Sequence, residues 1–167
     1  MYAPPMGVGS QVEERHQEEV AVDREKVCPL LLRVFCASAR HNPISEYARG
    51  NVPPNELQIY TWVDCSLREL MTLIKEVNVD ARRRGTLFEF AIVRPESFSP
   101  RYMMREVGST CNGSRGVDDA KTLHQCKFEI GDFIDVAITV PGMPRPVGHG
   151  GPPMPPMGGG RGPPPRY

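Results

Sequence analysis

An α+β domain, in which one amphipathic helix covers a mixed sheet, is predicted by three features of the sequence. The segment Glu56–Leu70, ELQIYTWVDCSLREL, joins an alternating strand to a capped helix with almost no loop between them. The helix carries a single apolar stripe, so it needs a sheet to bury it. Strand-like segments then outnumber helical ones: two precede the helix and three follow it. With one substantial helix, a ferredoxin-like sandwich lacks its second crossover.

The elements follow in order. Cys28 to Cys36 (CPLLLRVFC) is rich in Leu, Val and Phe and reads as a buried strand. Ala37 to Asn55 is polar, with Asn42-Pro43, Gly50-Asn51 and Pro53-Pro54, and is too long for a hairpin turn. Long ordered loops are often functional. In the second strand, Glu56 to Trp62, side chains alternate: Leu57, Ile59 and Thr61 share one face, and Gln58, Tyr60 and Trp62 the other. Ser66 with Glu69 forms a capping box, and Asp64 offers a second N-cap oxygen. The helix from about Ser66 to Val77 places Leu67, Leu70, Met71, Ile74 and Val77 on its stripe. Asn78 to Arg84 either continues it or forms a separate turn. Arg82, Arg83 and Arg84 suit a helix C-terminus through the macrodipole, and Gly85 suits a left-handed stop. Thr86 to Arg94 (TLFEFAIVR) is apolar on both faces apart from Glu89, as a central strand should be. Arg101 to Val107 is a shorter, more polar strand, followed by a Gly/Ser-rich loop over Gly108 to Gly116. Gly131-Asp132 marks a turn or bulge before the last strand, Phe133 to Thr139. A ubiquitin-like β-grasp, a five-stranded mixed sheet under one main helix with inserted loops, fits this order best.

Two appendages flank that body, which spans residues 27–140. Residues 1–26 form an acidic arm that does not fold alone, with a short helix over Val12 to Val22 only when docked; its first 25 residues hold six acidic and two basic side chains. Residues 141–167 are a Pro/Gly-rich tail: eighteen of its 27 residues are Pro or Gly, so neither a helix nor a ladder forms cheaply. The tail reads as a solubilising terminus, or as a weak docking strip for aromatic grooves or RNA. The formal net charge is zero but unevenly spread, and residues 26–140 hold fifteen basic and fourteen acidic side chains, a near-neutral balance that argues against a duplex-binding face. Five widely spaced cysteines without a C-x-x-C pair fit neither a disulfide framework nor a zinc site, and point to structural thiols in a reducing compartment. No apolar run is long enough for a membrane span, and no basic-then-apolar start marks a secretory signal. A cytosolic or nuclear protein is expected.

No reactive set is evident. His41 and His124 sit in polar loops without ligand partners at i+2 to i+4, and exposed loop histidines are the simpler reading. Asp118-Asp119, Asp132 and Asp135 lack the oxygen spacing of a calcium or magnesium site, so turn and capping roles suffice. Neither a catalytic residue, a cofactor nor a metal site is expected. Aromatic side chains on strands are usually core or cross-strand partners. If Tyr60 and Trp62 face away from the helix, however, they form with Tyr47 and Arg49 from the long loop a candidate anchored peptide site. Direct RNA binding through Arg82–Arg84 and the tail arginines is the alternative. A conjugated modifier is disfavoured, because the sequence closes on Arg166-Tyr167 rather than Gly-Gly.

The phrases DREKVCPLLLRVF (Asp23 to Phe35), RGNVP (Arg49 to Pro53), ELQIYTW (Glu56 to Trp62), FEFAIV (Phe88 to Val93), REVGST (Arg105 to Thr110) and IGDFIDVAIT (Ile130 to Thr139) resemble the Sin-three-associated eighteen-kilodalton polypeptide family. The resemblance covers about residues 23 to 140. It implies a ubiquitin-like fold, no catalytic activity, and adaptor membership of two nuclear assemblies. One is the Sin-three histone-deacetylase corepressor. The other is the splicing-associated complex, with an RNA-recognition-motif protein and Acinus or Pinin, which meets the exon-junction complex. Nuclear localisation, with some cytoplasmic presence and indirect association with RNA, follows from the same resemblance. Asn78-Val79 stands where animal members are expected to carry Tyr-Pro, pointing to a plant or other divergent member.

Overall fold

The computed structural model describes residues 21–144, so all but the last two residues of the helix expected at 12–22, and most of the tail, lie outside the described residues. Five strands, β1 (Leu30–Ser38), β2 (Glu56–Thr61), β3 (Leu87–Pro95), β4 (Tyr102–Cys111) and β5 (Phe133–Thr139), form one sheet in the order β2-β1-β5-β3-β4. The central pair β1 and β5 is parallel, and the other three pairings are antiparallel. The single α-helix among the described residues, α1 (Leu67–Val77), lies across one face. This is the ubiquitin-like arrangement expected from the order of elements. Short 3-10 segments add to it at Ile44–Gly50 and Asp80–Arg82.

Alternation decides what each face buries. Leu32 and Val34 of β1, Ile59 of β2, Phe88, Phe90 and Ile92 of β3, and Ile134, Val136 and Ile138 of β5 all join the core beneath α1. From the helix, Leu67, Leu70, Met71 and Ile74 complete that core. Val77 does not: it was expected on the stripe but is 62 % exposed at the helix end. The opposite residues, Phe35, Val93 and Phe133, form a second, smaller cluster with Tyr47 on the outer face. The alternation of β2 therefore places Tyr60 on the outer face, 68 % exposed, as the period of two requires.

The helix start keeps half of its expected capping box. Ser66 Oγ accepts from the Glu69 amide at 3.2 Å. The carboxylates of Glu69 and Asp64 instead both go to Arg24. After α1 the chain turns at once, with Asn78 Oδ1 accepting from Ala81 N at 3.2 Å, so residues 78–84 form a separate turn. β4 runs to Cys111, longer than expected, because it continues past a bulge opposite Phe90/Ala91 that turns Val107 into the core. Gly108 is needed there: an added Cβ would meet Leu67 Cδ1 at 2.8 Å and Asp118 Cβ at 3.0 Å.

Candidate functional site

The long loop between β1 and β2 is fastened to the outer face by one carboxylate. Asp135 is in the middle of β5, 0 % exposed, and points away from α1. It accepts from Tyr47 Oη at 2.5 Å, His41 Nδ1 at 2.7 Å, Asn42 Nδ2 at 2.8 Å and the Asn42 amide at 3.3 Å. Four donors from one loop explain how a buried charge is tolerated there. The Tyr47 ring packs edge-on against Phe35 at 5.5 Å and stacks on Phe133 at 5.8 Å. Burial first, and the bond to Asp135 second, push the Tyr47 hydroxyl well above its ordinary pKa.

Two sequence expectations are corrected by this cluster. Asp135 is a buried anchor, not a turn or capping residue at a strand end. His41 is not an exposed loop histidine: its side chain is 16 % exposed, and its bond to Asp135 raises its pKa against the opposing effect of burial. His41 Nε2 has no hydrogen-bond partner among the described residues; Glu106 Oε1 stands 4.0 Å away. Through Nδ1 the His41 ring ties the loop to β5. His124 is exposed, as expected. Asp119 closes a turn by accepting from Gly116 N and also pairs with Arg68 of α1 at 2.7 Å, whereas Asp118 accepts from Ser109 N of β4 and ties the loop back to the strand rather than serving a turn. Among the described residues no group of three or more His, Cys, Asp or Glu is placed to hold a metal, and no helix is long and apolar enough to cross a membrane. All five cysteines are free, and burial pushes the thiols of Cys36 and Cys65 up to about 11 and about 12.

The four candidate binding residues differ in exposure and do not form one open site: Tyr47 and Tyr60 belong to the outer face, whereas Trp62 lies beyond the end of β2. Tyr47 is fully buried and cannot touch a partner. Arg49, two residues on, is exposed and held with φ of 59° at the kink of the loop. Tyr60 is open. Trp62 is half-buried under the segment that precedes β1: its Nε1 donates to Val27 O at 2.7 Å, and the Arg24 guanidinium lies 5.0 Å over its ring. Arg24 also bridges to Asp64 at 2.9 Å and Glu69 at 2.8 Å, so three elements are tied together at this corner. The charged phrase Asp23–Lys26 was the available sequence signal, yet nothing in it specifies that Arg24 reaches 45 residues along the chain.

Two further surfaces are located by the structure. β2 is a sheet edge, and outside its ladder with β1 its backbone makes no backbone hydrogen bond among the described residues. Beside it, between α1 and the β1–β2 pair, runs a groove of about 520 Å³. Leu57, Ile74, Val77, Val79, Val140 and Met143 supply its apolar lining. Of the arginine triplet only Arg82 closes the helix, donating to the carbonyls of Lys75 at 2.7 Å and Glu76 at 2.8 Å, whereas Arg83 donates to that of Pro141 at 3.4 Å.

A ubiquitin-like protein with a latched loop, an open sheet edge and a groove on the helix side is thus defined by its fold and surfaces. The chain belongs to the Sin3 associated polypeptide p18 (SAP18) family, whose model matches residues 21–138. A Caenorhabditis elegans protein named "Probable histone deacetylase complex subunit SAP18" is 63 % identical over 139 residues, covering 81 % of this chain and 82 % of the relative. The human histone deacetylase complex subunit SAP18 is 51 % identical over 142 residues, covering 84 % and 93 %. The Arabidopsis thaliana protein of the same name is 51 % identical over 138 residues, covering 81 % and 89 %. Similarity to the plant relative is thus equal to that with the human one.

Proposed function

We propose that the protein is a non-catalytic adaptor subunit of a nuclear histone-deacetylase corepressor built on a Sin-three scaffold. The identity of 51 to 63 % with relatives named as histone deacetylase complex subunits carries this reading. The body of residues 27–140 is the adaptor module, and it captures an extended peptide from a larger partner by strand addition at β2. An edge strand with unpaired backbone groups supports that mode, and alternation supplies its selectivity. Successive partner side chains would fall towards Tyr60, Trp62 and Arg49 on the outer face and into the groove on the helix side. Tyr47 serves the same site indirectly, by fixing the loop that carries Arg49. The same surface is proposed to serve the splicing- and exon-junction-associated assembly through an Acinus- or Pinin-type peptide beside an RNA-recognition-motif protein. Association with RNA is then indirect, which the engagement of Arg82 and Arg83 by backbone carbonyls favours over direct binding.

Trp62→Ala and Arg49→Glu are each expected to weaken binding of scaffold-derived peptides in fluorescence anisotropy while leaving the far-ultraviolet circular dichroism unchanged. Unchanged affinity in both would remove the site from this face. Affinity purification with and without nuclease tests the assembly itself. Deacetylase-scaffold or splicing subunits that survive nuclease support the adaptor, whereas their loss points to tethering by RNA.

A further inference from the structure

We propose that Asn112–Gly113 is a deamidation site held in check by a clasp that Asn112 itself closes. It is the one Asn-Gly pair in the sequence. The Asn112 side chain joins three parts of the fold. Its Oδ1 accepts from Lys75 Nζ of α1 at 2.8 Å, and its Nδ2 donates to Arg82 O at 2.8 Å and Arg83 O at 3.1 Å in the turn that follows. Its backbone, just past the end of β4, bonds to the residues that lead into β3. There Gly85 N donates to Asn112 O at 2.8 Å, and Asn112 N donates to Thr86 O at 2.9 Å. Only an amide can make the side-chain bonds, since it offers an acceptor to the ammonium and two N–H donors to the carbonyls at once.

The next residue supplies the nucleophile. Gly113 N donates no hydrogen bond among the described residues, whereas Asn112 N and Ser114 N on either side both do. Gly113 has φ of 87°, and an added Cβ would meet Arg84 Cγ at 2.8 Å, so glycine is required and no side chain shields its nitrogen. When the clasp opens, Gly113 N gives up its proton and bonds to Asn112 Cγ; the Cγ–Nδ2 bond breaks and Nδ2 leaves as ammonia. Water then adds across one carbonyl–nitrogen bond of the succinimide ring, hydroxyl to carbon and proton to nitrogen. Aspartate or isoaspartate remains. While the clasp is closed, three hydrogen bonds fix the amide, so its rotation onto the nucleophile waits for local opening. The product cannot close the clasp again. A carboxylate has no N–H, and its oxygens would face the carbonyl oxygens of Arg82 and Arg83. Deamidation therefore opens this junction once and irreversibly. The turn it frees carries Val79 and Asp80 of the groove; any effect on partner binding rests on the proposed function, whereas the reaction does not.

Mass spectrometry of the full chain, incubated in mildly alkaline buffer beside the free peptide of residues 108–117, tests the proposal. Asn112 is expected to deamidate about tenfold more slowly in the folded chain than in the peptide, the cost of opening a few hydrogen bonds. Lys75→Met, which takes the ammonium from Oδ1, is expected to bring the folded rate several-fold nearer to that of the peptide, with circular dichroism checking that it is folded. The deamidated fraction, separated by its added negative charge, is expected to exchange amide hydrogens faster over Asp80–Thr86 and unchanged over β1 and β5. A folded rate equal to that of the peptide, or no product at Asn112 once the peptide is consumed, overturns the proposal. So does a folded Lys75→Met chain that reacts no faster than wild type, or a deamidated fraction with unchanged exchange. If Lys75→Met does not fold, the wild-type rates and the exchange measurement decide without it. No partner enters any of these measurements, so a failure of the adaptor reading leaves the result standing.

Discussion

Tyr47→Phe isolates a single bond in the latch. The ring contacts with Phe35 and Phe133 survive the change, and only the 2.5 Å bond from Tyr47 Oη to Asp135 is lost. Both residues are 0 % exposed, so water does not replace the donor. A hydrogen bond to a charged group contributes about 1.5–3 kcal/mol, and Asp135 keeps its His41 and Asn42 donors. The expected loss is therefore about 2 kcal/mol, or roughly 8 °C in Tm at about 4 °C per kcal/mol for a body of this size. Asp135→Ala removes the acceptor from four donors and strands a buried hydroxyl; about 3–5 kcal/mol is expected. In that background Tyr47→Phe removes an orphaned group and is expected to be nearly neutral, giving a coupling of about 2 kcal/mol. Urea denaturation followed by circular dichroism, with the slope m compared across all four proteins, reads these values. A Tyr47→Phe cost below about 0.5 kcal/mol, or the same cost with and without Asp135, would show that packing alone holds the loop.

The latch also predicts a pH dependence. His41 faces Asp135 from β5, Glu106 from β4 and Glu89 from β3, and its pKa in the folded state lies above the ordinary value of about 6.5. Its contribution is thus fully present below that value and is lost as pH rises through the raised one. The stability gap between wild type and His41→Gln should narrow between pH 6 and pH 9 in urea titrations; parallel curves would remove His41⁺ from the latch. Arg24→Ala should change the emission of Trp62, the sole tryptophan, and speed amide exchange over Asp23–Val27. An unaltered spectrum together with unaltered exchange would mean that Arg24 does not hold this corner.

Local pattern carried the fold because each element was set by neighbours in sequence. The alternation of β2, the Ser66 cap and the apolar stripe of α1 all act within a few residues, and all appear where expected apart from Val77. Val77 failed because it faces the open groove beside β1 and β2 rather than packed side chains, and a stripe says nothing about where the packed surface beneath it ends. The candidate site was less legible because it depends on contacts far apart in sequence. Tyr47 meets Asp135 across 88 residues and Arg24 meets Glu69 across 45. Neither pair has a spacing that a sequence pattern could reveal. Arg82 was placed correctly as a helix-closing residue because its partners, Lys75 and Glu76, are within one or two turns.

The burial of Tyr47 changes how any binding experiment on the outer face must be interpreted. Its hydroxyl is fixed to the central strand, and Arg49 follows two residues later in a left-handed backbone conformation that a non-glycine residue adopts only when its surroundings impose it. Loosening Tyr47 therefore moves Arg49 without removing any contact of its own. A loss of affinity in Tyr47→Phe would be an effect of position, accompanied by a loss of stability. A loss of affinity in Arg49→Glu, at an exposed side chain with no ion pair among the described residues, would arise without a change in Tm. Measuring affinity and Tm on the same two variants separates the residue that meets a partner from the residue that holds it in place.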